Sequence, residues 1–393
     1  MQTWWNIWES HTLRLLWASC DSKSLSPIEG SQTISRAIIA TDRDRWTSGT
    51  TNTPFYDGSN FASTENLIVV TATYRMNIFG FPSTSNLGLL DQRLAVEWVH
   101  RNIAVFGGDP NRIVMSGQSC GAAAADYWAY AYAANPLVAG LISHSGTAES
   151  FPANSPELSE AHWLNVTAQL GCGDGDRLSC MKRQSVAALL GAAAKIPPPP
   201  ASSAARKQPV FQPTVDNVTV FGDYGSLAEK GEFARVPYLV GHNANESNFY
   251  KISAWAQGSL LPPAEWEAFN RDTFICPTNA AAAARVHAHV PVWRFMYRSD
   301  WANTRLYPGS GAYHGVDLNM VFGNSGAVTG IPESKAEGQL RRIVQRAWAA
   351  FVVDPVGGLD GLGWPQFGQE GPSVIAIGEG NEPRVTVEYP EDC

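Results

Sequence analysis

Apolar and polar residues along the chain form two kinds of run, and the pattern becomes regular from about Trp46 onward. Short runs rich in β-branched residues, such as 67–74, predict strands buried on both faces, because they contain no alternation with polar residues. Between them lie runs with apolar residues at helical spacing, as at Leu90, Leu94 and Trp98. The other predicted strands are 112–115 and 237–240, and the predicted helices are 90–106, 122–134 and one with an apolar stripe from Leu340 to Phe351. Alternation of strands and helices predicts an α/β fold with a mostly parallel central sheet flanked by helices.

Composition narrows the class of protein. The chain has 393 residues, of which 44% are hydrophobic and 11% aromatic, as in a globular protein with one large domain or two smaller ones. Its net charge of −8 comes without clusters of Lys and Arg, so we expect neither nucleic acid nor an anionic membrane as a partner. The sequence contains no apolar run of the roughly 18 residues that a transmembrane helix needs.

The segment Gly117–Gly121 is the main candidate for chemistry. It reads Gly-Gln-Ser-Cys-Gly, so Ser119 lies at the centre of a G-x-S-x-G motif. A predicted strand precedes the motif and an alanine-rich predicted helix follows it. This strand-turn-helix context is that of the nucleophile elbow in α/β-hydrolases, where a sharp turn exposes the serine hydroxyl. We therefore expect Ser119 to be a nucleophile.

A serine nucleophile needs a base and an acid that orients the base. His314 is the best candidate base, because glycines flank it in a loop that allows an imidazole to project into a cleft. Glu246 is a candidate acid, since it follows the predicted strand that ends at Val240. Asp216 and Asp317 remain competitors for the acid position. The other histidines after the elbow are interpreted as packed or solvated: His144, His162, His242, His287 and His289.

From Trp46 to Cys393 the chain resembles the type-B carboxylesterase family, which includes the cholinesterases and fungal secreted lipases and esterases. Motifs along its whole length support the resemblance, and they occur in the family's order. They are Tyr74-Arg75, Phe79-Gly80-Phe81, Asn86 to Gln92, Asn102-Ile103-Ala104, Phe106 to Pro110, the elbow, Phe211-Gln212-Pro213 with Asp216, Asn245-Glu246, His314-Gly315 and Val321-Phe322-Gly323.

The resemblance implies a single α/β-hydrolase domain over residues 46–393 and a carboxylic ester hydrolase. Matched motif by motif, Ser119 is the nucleophile, Glu246 the acid, His314 the base, and the backbone N–H of Cys120 an oxyanion donor. Gln118 stands where cholinesterases have a glutamate, so uncharged small-molecule or lipid esters are the expected substrates. We expect no cofactor and no metal.

Cysteines and glycosylation motifs point to an extracellular protein. The spacing of Cys172 and Cys180 suits a local disulfide and fits no common zinc motif. The resemblance implies that pair and a second one, Cys276 with Cys393, and it leaves Cys20 unpaired. Three N-glycosylation acceptors occur, at Asn165, Asn217 and Asn245. Of these, Asn245 is the least favourable site, because a glycan there would crowd the acid loop.

The chain departs from the family before residue 46. Where the family has a glycine-rich run whose N–H groups hold the oxyanion, this sequence has Arg43-Asp44-Arg45-Trp46. Asp44 would place a carboxylate near a developing negative charge, and loss of one oxyanion donor costs about 10²–10³ in rate. Residues 1–45 form an atypical segment in which only 36–40 is predicted to be a strand.

Two explanations fit this departure: a degraded esterase, or a wrongly assigned start of the reading frame. The abrupt end of the resemblance favours the second, in which a longer protein has a secretory signal. Residues 1–20 lack the basic start, apolar stretch and cleavage site of such a signal. The proline-rich run 197–200 is interpreted as a surface excursion within one domain.

Three functions follow in order of preference. The first is a secreted serine carboxylesterase. The second is a catalytically impaired, cholinesterase-like binding protein, because the oxyanion glycines are absent while the serine, glutamate and histidine are present. The third, an α/β-hydrolase of the haloalkane or epoxide hydrolase type, is disfavoured because the elbow has a serine rather than an aspartate.

Overall fold

A nine-stranded sheet organises the fold. The computed structural model describes residues 46–199, 208–259, 261–369, 371–388 and 393, and the backbone of 13–16 and 35–40. The strands are β1 Leu13–Leu16, β2 Ser35–Ala40, β3 Ile68–Ala72, β4 Gly108–Gln118, β5 Gly140–His144, β6 Tyr238–Asn243, β7 Val292–Tyr297, β8 Val374–Ile377 and β9 Val385–Glu388. Their order across the sheet is β1-β3-β2-β4-β5-β6-β7-β8-β9.

The interior of the sheet is parallel throughout. β3, β2, β4, β5, β6, β7 and β8 pair in parallel. The two edge strands, β1 and β9, are antiparallel to their neighbours. In a parallel sheet the carboxyl ends of neighbouring strands meet at one edge, so β4, β5 and β6 deliver the residues that follow them to the same place. The predicted mostly parallel α/β architecture is confirmed.

Helices cover the sheet on both sides. They are α1 Ser59–Glu65, α2 Asn77–Gly80, α3 Leu87–Asn102, α4 Cys120–Ala131, α5 Pro156–Gln169, α6 Arg177–Lys182, α7 Val186–Ala193, α8 Tyr224–Lys230, α9 Ser247–Ala256, α10 Pro263–Asn270, α11 Cys276–His287, α12 Leu318–Phe322, α13 Ser325–Thr329 and α14 Lys335–Val353. A π-helical turn, Arg271–Ile275, joins α10 to α11. A capping box of Ser334 and Glu337 starts α14, whose predicted apolar stripe is buried.

Alternate residues of the central strands enter two separate apolar clusters, one on each face of the sheet. Side chains of one strand point to opposite faces in turn, so both faces must be apolar when helices cover both. Ile68, Val70, Ile113 and Met115 belong to one cluster, whereas Val69, Val114, Ile142 and Leu239 belong to the other. The continuous apolar runs in the sequence have this cause.

The amino-terminal segment contains one strand more than predicted. The predicted strand at 36–40 is confirmed as β2, which pairs with both β3 and β4. The prediction that no other strand precedes residue 46 is wrong, because β1 pairs antiparallel with β3. An edge strand needs only one partner and tolerates polar residues, so four residues with one arginine were enough. Residues 41–45, with the replaced oxyanion run, and Cys20 lie outside the described residues.

Several predicted boundaries moved. The strand predicted at 112–115 extends over Gly108–Gln118, and the helix predicted from Ala122 begins directly after Ser119. The helix predicted to reach Phe106 ends at Asn102 and continues as a 3₁₀ turn. The described helices include none that is long and apolar enough to cross a membrane.

Candidate active site

Ser119 occupies a strained turn between β4 and α4. Its backbone has φ 58° and ψ −121°, a conformation that residues other than glycine rarely adopt. The turn is so tight that a Cβ at Gly117 would lie 2.0 Å from the carbonyl oxygen of Gly121. A Cβ at Gly146 would likewise lie 2.5 Å from the carbonyl oxygen of Ser119. The glycines therefore allow the elbow to form and hold Ser119 at the carboxyl edge of the sheet.

His314 and Glu246 form a buried pair at the same edge. His314 Nδ1 lies 2.5 Å from Glu246 Oε2, and both side chains are almost fully buried. Glu246 Oε1 also accepts a hydrogen bond from the backbone N–H of Asn243, 2.6 Å away. An ionised carboxylate in this position accepts a hydrogen bond from Nδ1–H, so the proton of the neutral ring stays on Nδ1 and Nε2 of His314 is a hydrogen-bond acceptor. Nε2 is the atom that a general base would use.

Gln118 contacts that nitrogen. Its side-chain Nε2 lies 3.1 Å from Nε2 of His314, and both residues are buried. Because the imidazole nitrogen accepts, the amide of Gln118 donates. Gln118 comes from the last position of β4, and Gly315 allows the close approach, since a Cβ there would lie 3.3 Å from the amide nitrogen. The sequence had suggested a role for Gln118 in substrate charge but not this contact.

A second histidine–carboxylate pair lies beside the first. His144 Nδ1 lies 2.5 Å from Asp317 Oδ2, and the indole Nε1 of Trp348 donates to His144 Nε2 over 3.0 Å. Both ring nitrogens of His144 are therefore engaged, and its side chain is buried. Burial acts to raise the pKa of Asp317, but His144 and Asn243 outweigh it and hold that pKa below its usual value. Asp317, a competitor for the acid position, is paired with His144 and not with His314.

Asn243 joins the two pairs. Its backbone N–H bonds Glu246, while its side-chain amide donates to Asp317 Oδ1 and to the carbonyl oxygen of Tyr313, each over 3.0 Å. Asn243 is the last residue of β6, so a single strand end positions both carboxylates and the residue before His314. No sequence signal pointed to this role.

Asp216, the other competitor for the acid position, has a structural role. Its Oδ1 accepts from the backbone N–H groups of Val218, Thr219 and Val220, and its Oδ2 accepts from Asn86. Burial acts to raise the pKa of Asp216, but these backbone hydrogen bonds outweigh it and lower the pKa. The carboxylate closes a turn, and none of its hydrogen-bond partners among the described residues is an imidazole.

Aromatic rings surround His314. The ring centroids of Tyr250 and Phe274 each lie 5.2 Å from that of His314, and Phe249 lies at 6.1 Å. Phe249 and Tyr250 belong to α9, which begins directly after Glu246. Walls of this kind are apolar and exclude water, which strengthens electrostatic interactions within the site.

Two described residues, Cys120 and Trp46, belong to segments from which oxyanion donors were expected. Cys120 is the first residue of α4 and is buried, and its sulfur takes part in neither described disulfide. A helix amino terminus presents backbone N–H groups to an anion. Trp46, the last residue of the segment that differs from the expected glycine-rich run, is buried and packs against Tyr127 and Phe81, with ring centroids 6.4 Å and 5.6 Å apart.

The other predicted residues are placed as follows. Disulfides join Cys172 to Cys180 and Cys276 to Cys393. The three glycosylation candidates, Asn165, Asn217 and Asn245, are exposed. The Asn245 side chain, however, accepts a hydrogen bond from the backbone of Ala312 in the His314 loop. A glycan on Asn245 would break that contact.

The remaining histidines are packed or solvated, as predicted. His162 bonds a backbone carbonyl, His287 and His289 are exposed, and burial lowers the pKa of His242 to about 3. Within the described ranges, there is no cluster of three side chains that could hold a metal ion.

The chain is similar to known esterases and lipases. A model of the carboxylesterase family matches residues 42–272. The chain is 33% identical to a chlorogenic acid esterase of Aspergillus niger over 343 residues, which cover 81% of this chain and 64% of that protein. It is 32% identical to secreted lipase 5 of Gibberella zeae, over 88% of this chain and 68% of that protein. The chain thus spans about two thirds of the length of these relatives.

A solved structure shows the same fold. A structure of PNB esterase superimposes with a TM-score of 0.77 at 24% sequence identity, covering 91% of this chain and 78% of the other. The predicted α/β-hydrolase fold is confirmed by this match.

Proposed function

Because the chain belongs to the carboxylesterase family, we propose that it hydrolyses carboxylic esters through an acyl-enzyme, with Ser119 as nucleophile, His314 as base and Glu246 as acid. The observation that supports this most directly is the buried pair of His314 and Glu246, 2.5 Å apart. The pair lies at the sheet edge where the strained turn holds Ser119. These are the arrangement and the chain order that such hydrolases use.

In the proposed reaction, Ser119 Oγ attacks the ester carbonyl while its proton moves to His314 Nε2. Glu246 accepts a hydrogen bond from Nδ1–H throughout, so it fixes the tautomer and stabilises the imidazolium. The backbone N–H of Cys120 donates to the oxyanion. The imidazolium then returns the proton to the leaving alcohol, and water repeats the sequence on the acyl-enzyme.

Gln118 must release His314 Nε2 before the serine proton can move there, because one lone pair accepts only one such donor. Substrate binding would displace the amide from its 3.1 Å contact. Since Gln118 is neutral and the surrounding rings are apolar, the site favours uncharged esters. The relative named as a secreted lipase fits this class.

The relative named as a secreted lipase and the two disulfides support an extracellular location. Glycosylation at Asn165 and Asn217 belongs to this proposal, since both side chains are exposed. We place Asn245 outside it because of its contact with the His314 loop. The proposal treats residues 46–393 as one domain.

One observation favours a second candidate, a binding protein with impaired catalysis. The base nitrogen of His314 is occupied by the amide of Gln118. If that contact persists when an ester is present, Ser119 has no proton acceptor.

Covalent labelling separates the two candidates. Purified chain would be treated with a fluorophosphonate probe, beside Ser119→Ala and a control, Ser145→Ala. Ser145 is a suitable control because its buried hydroxyl has no hydrogen-bond partner among the described atoms. We expect labelling and ester hydrolysis in the parent and in the control and neither in Ser119→Ala. A folded parent that shows no labelling and no hydrolysis would refute the esterase proposal.

A further inference from the structure

A cavity of about 500 Å³ opens beside the elements that hold the acid and the base. Its walls come from α9, α10, the segment between them and the loop that precedes His314. They are Lys251, Ile252, Trp255, Ser259, Leu261, Trp266, Leu306 and Tyr307. Ser119, Glu246 and His314 do not line it, and neither does Tyr250, the α9 residue whose ring lies beside His314. Its size is in the range of small-molecule sites, about 300–1,000 Å³.

The walls are largely apolar and partly exposed. Trp255 is 72% exposed, Leu306 43% and Ile252 39%, while Trp266 is buried. Large apolar side chains that cluster around a concave surface are typical of a binding site rather than of ordinary surface. A ligand with an apolar body would cover them.

Lys251 is the one charged residue in these walls. Its ammonium donates to Asn248 Oδ1 over 2.7 Å and lies 5.8 Å from the centre of the Trp266 ring. Among the residues that the structure describes, no carboxylate forms an ion pair with it. Burial lowers its pKa, as expected for a cation without such a partner. A ligand that brought a carboxylate would supply the missing charge.

We propose that this cavity binds an amphiphilic monocarboxylate, an aromatic or aliphatic acid, whose carboxylate pairs with Lys251 and whose apolar body packs on Trp255 and Trp266. A neutral ligand of the same shape would leave the ammonium unpaired. A cationic ligand would be repelled.

Hydrogen bonds link the walls of the cavity to the segments that hold Glu246 and His314. Asn248, the partner of Lys251, donates to the carbonyl oxygen of Ser310 over 2.9 Å, and the hydroxyl of Tyr307 donates to its backbone over 2.9 Å. Asn248 lies two residues after Glu246, and Ser310 lies in the loop that leads to His314. If the chain is an esterase, as proposed above, the acid that it releases belongs to the class that this site binds. Binding itself requires no turnover.

Calorimetry with 4-phenylbutyrate and its neutral counterpart, 4-phenylbutan-1-ol, tests the proposal. The parent chain should bind the acid at least tenfold more tightly than the alcohol, because the hydroxyl of the alcohol can accept a hydrogen bond from the Lys251 ammonium but cannot form an ion pair with it. Lys251→Met keeps the apolar stem and should weaken acid binding about tenfold or more. The control Lys230→Met, at an exposed lysine that ends α8, should leave it unchanged. Equal affinities of parent and Lys251→Met would overturn the proposal.

Photolabelling locates the bound acid. Irradiation with 4-benzoylbenzoate should attach the probe to residues within 251–266 or at 306–307, as mapped residue by residue by tandem mass spectrometry, and excess 4-phenylbutyrate should prevent it. Attachment only at Ser119, at His314 or at their immediate neighbours would place the acid in the candidate active site and refute the separate cavity. An inactive chain that still shows the Lys251-dependent binding would refute the esterase function and leave this site intact.

Discussion

Replacing Gln118 with glutamate tests the base assignment most directly. The Gln118 amide lies 3.1 Å from His314 Nε2. A carboxylate oxygen at that distance from an imidazolium is attracted by about 1 kcal/mol at the dielectric constant of water and about 5 kcal/mol at an effective value near 20. At about 1.4 kcal/mol per pH unit, this corresponds to about 1 to 4 units. Desolvation of the new carboxylate opposes the gain, so we expect a shift of about 1 to 3 units.

The sign of the shift follows from which form of His314 is stabilised. A neighbouring carboxylate stabilises the protonated imidazole, so the free base forms only at higher pH. In Gln118→Glu, the acidic limb of the kcat/KM profile should therefore move to higher pH, with activity lost below the new midpoint and retained above it. The assay is hydrolysis of a neutral ester in a pH-stat across the range in which histidine titrates.

Gln118→Met is the matched control, because it removes the amide donor without adding charge, and its midpoint should not rise. NMR titration of the His314 ring protons gives the same comparison without turnover. A Gln118→Glu midpoint that coincides with that of the parent would show that the residue does not face the base nitrogen, and the reasoning would fail.

Three further predictions concern Glu246 and two other buried acids. Glu246→Gln should lower kcat by about 10³ to 10⁴, because the amide no longer selects the required tautomer of His314. Near-UV circular dichroism should show that the chain is still folded. Undiminished turnover would exclude Glu246 as the acid. Asp126 in α4 and Arg285 in α11 form an ion pair in which both side chains are buried. Asp126→Asn should lower the free energy of unfolding in urea by about 3–5 kcal/mol, because it leaves the charge of the Arg285 guanidinium buried without a carboxylate. The double replacement Asp126→Leu with Arg285→Met should lose less, and an equal or larger loss would contradict this account. The pKa of Asp317 is depressed in the folded chain, so its contribution to stability is present above its unfolded pKa and is lost as the pH falls through the folded value. In Asp317→Asn, the melting temperature should therefore fall less steeply as the pH is lowered. An unchanged decrease would show that another group causes it.

Local patterns predicted the parts of the site that depend on local structure. The elbow could be predicted because Gly117, Ser119 and Gly121 lie within five consecutive residues. A turn this tight requires a glycine at Gly117, where a Cβ would collide with backbone. The α/β architecture followed from continuous apolar runs, because burial on both faces of a parallel sheet leaves that signature.

The partners of the second histidine could not be predicted in the same way. Trp348 and His144 are separated by 204 positions, and their hydrogen bond depends on how α14 packs against the end of β5. Periodicity reports which face of an element is buried and does not identify its neighbour. For the same reason the sequence left Asp317 open as the acid, although the structure pairs it with His144. Asn243 gave no signal at all, since its role depends on two acids from different loops.

The long separations within the candidate site bear on how the chain folds. Gln118 and His314 are 196 positions apart, and Glu246 and His314 are 68 apart. Contacts of this range form late, because the loops between them must close first, and parallel sheets are slow to assemble. During refolding, the far-ultraviolet helix signal should therefore return before Ser119 becomes reactive. The appearance of a labelled serine would mark completion of the whole sheet rather than formation of its own turn.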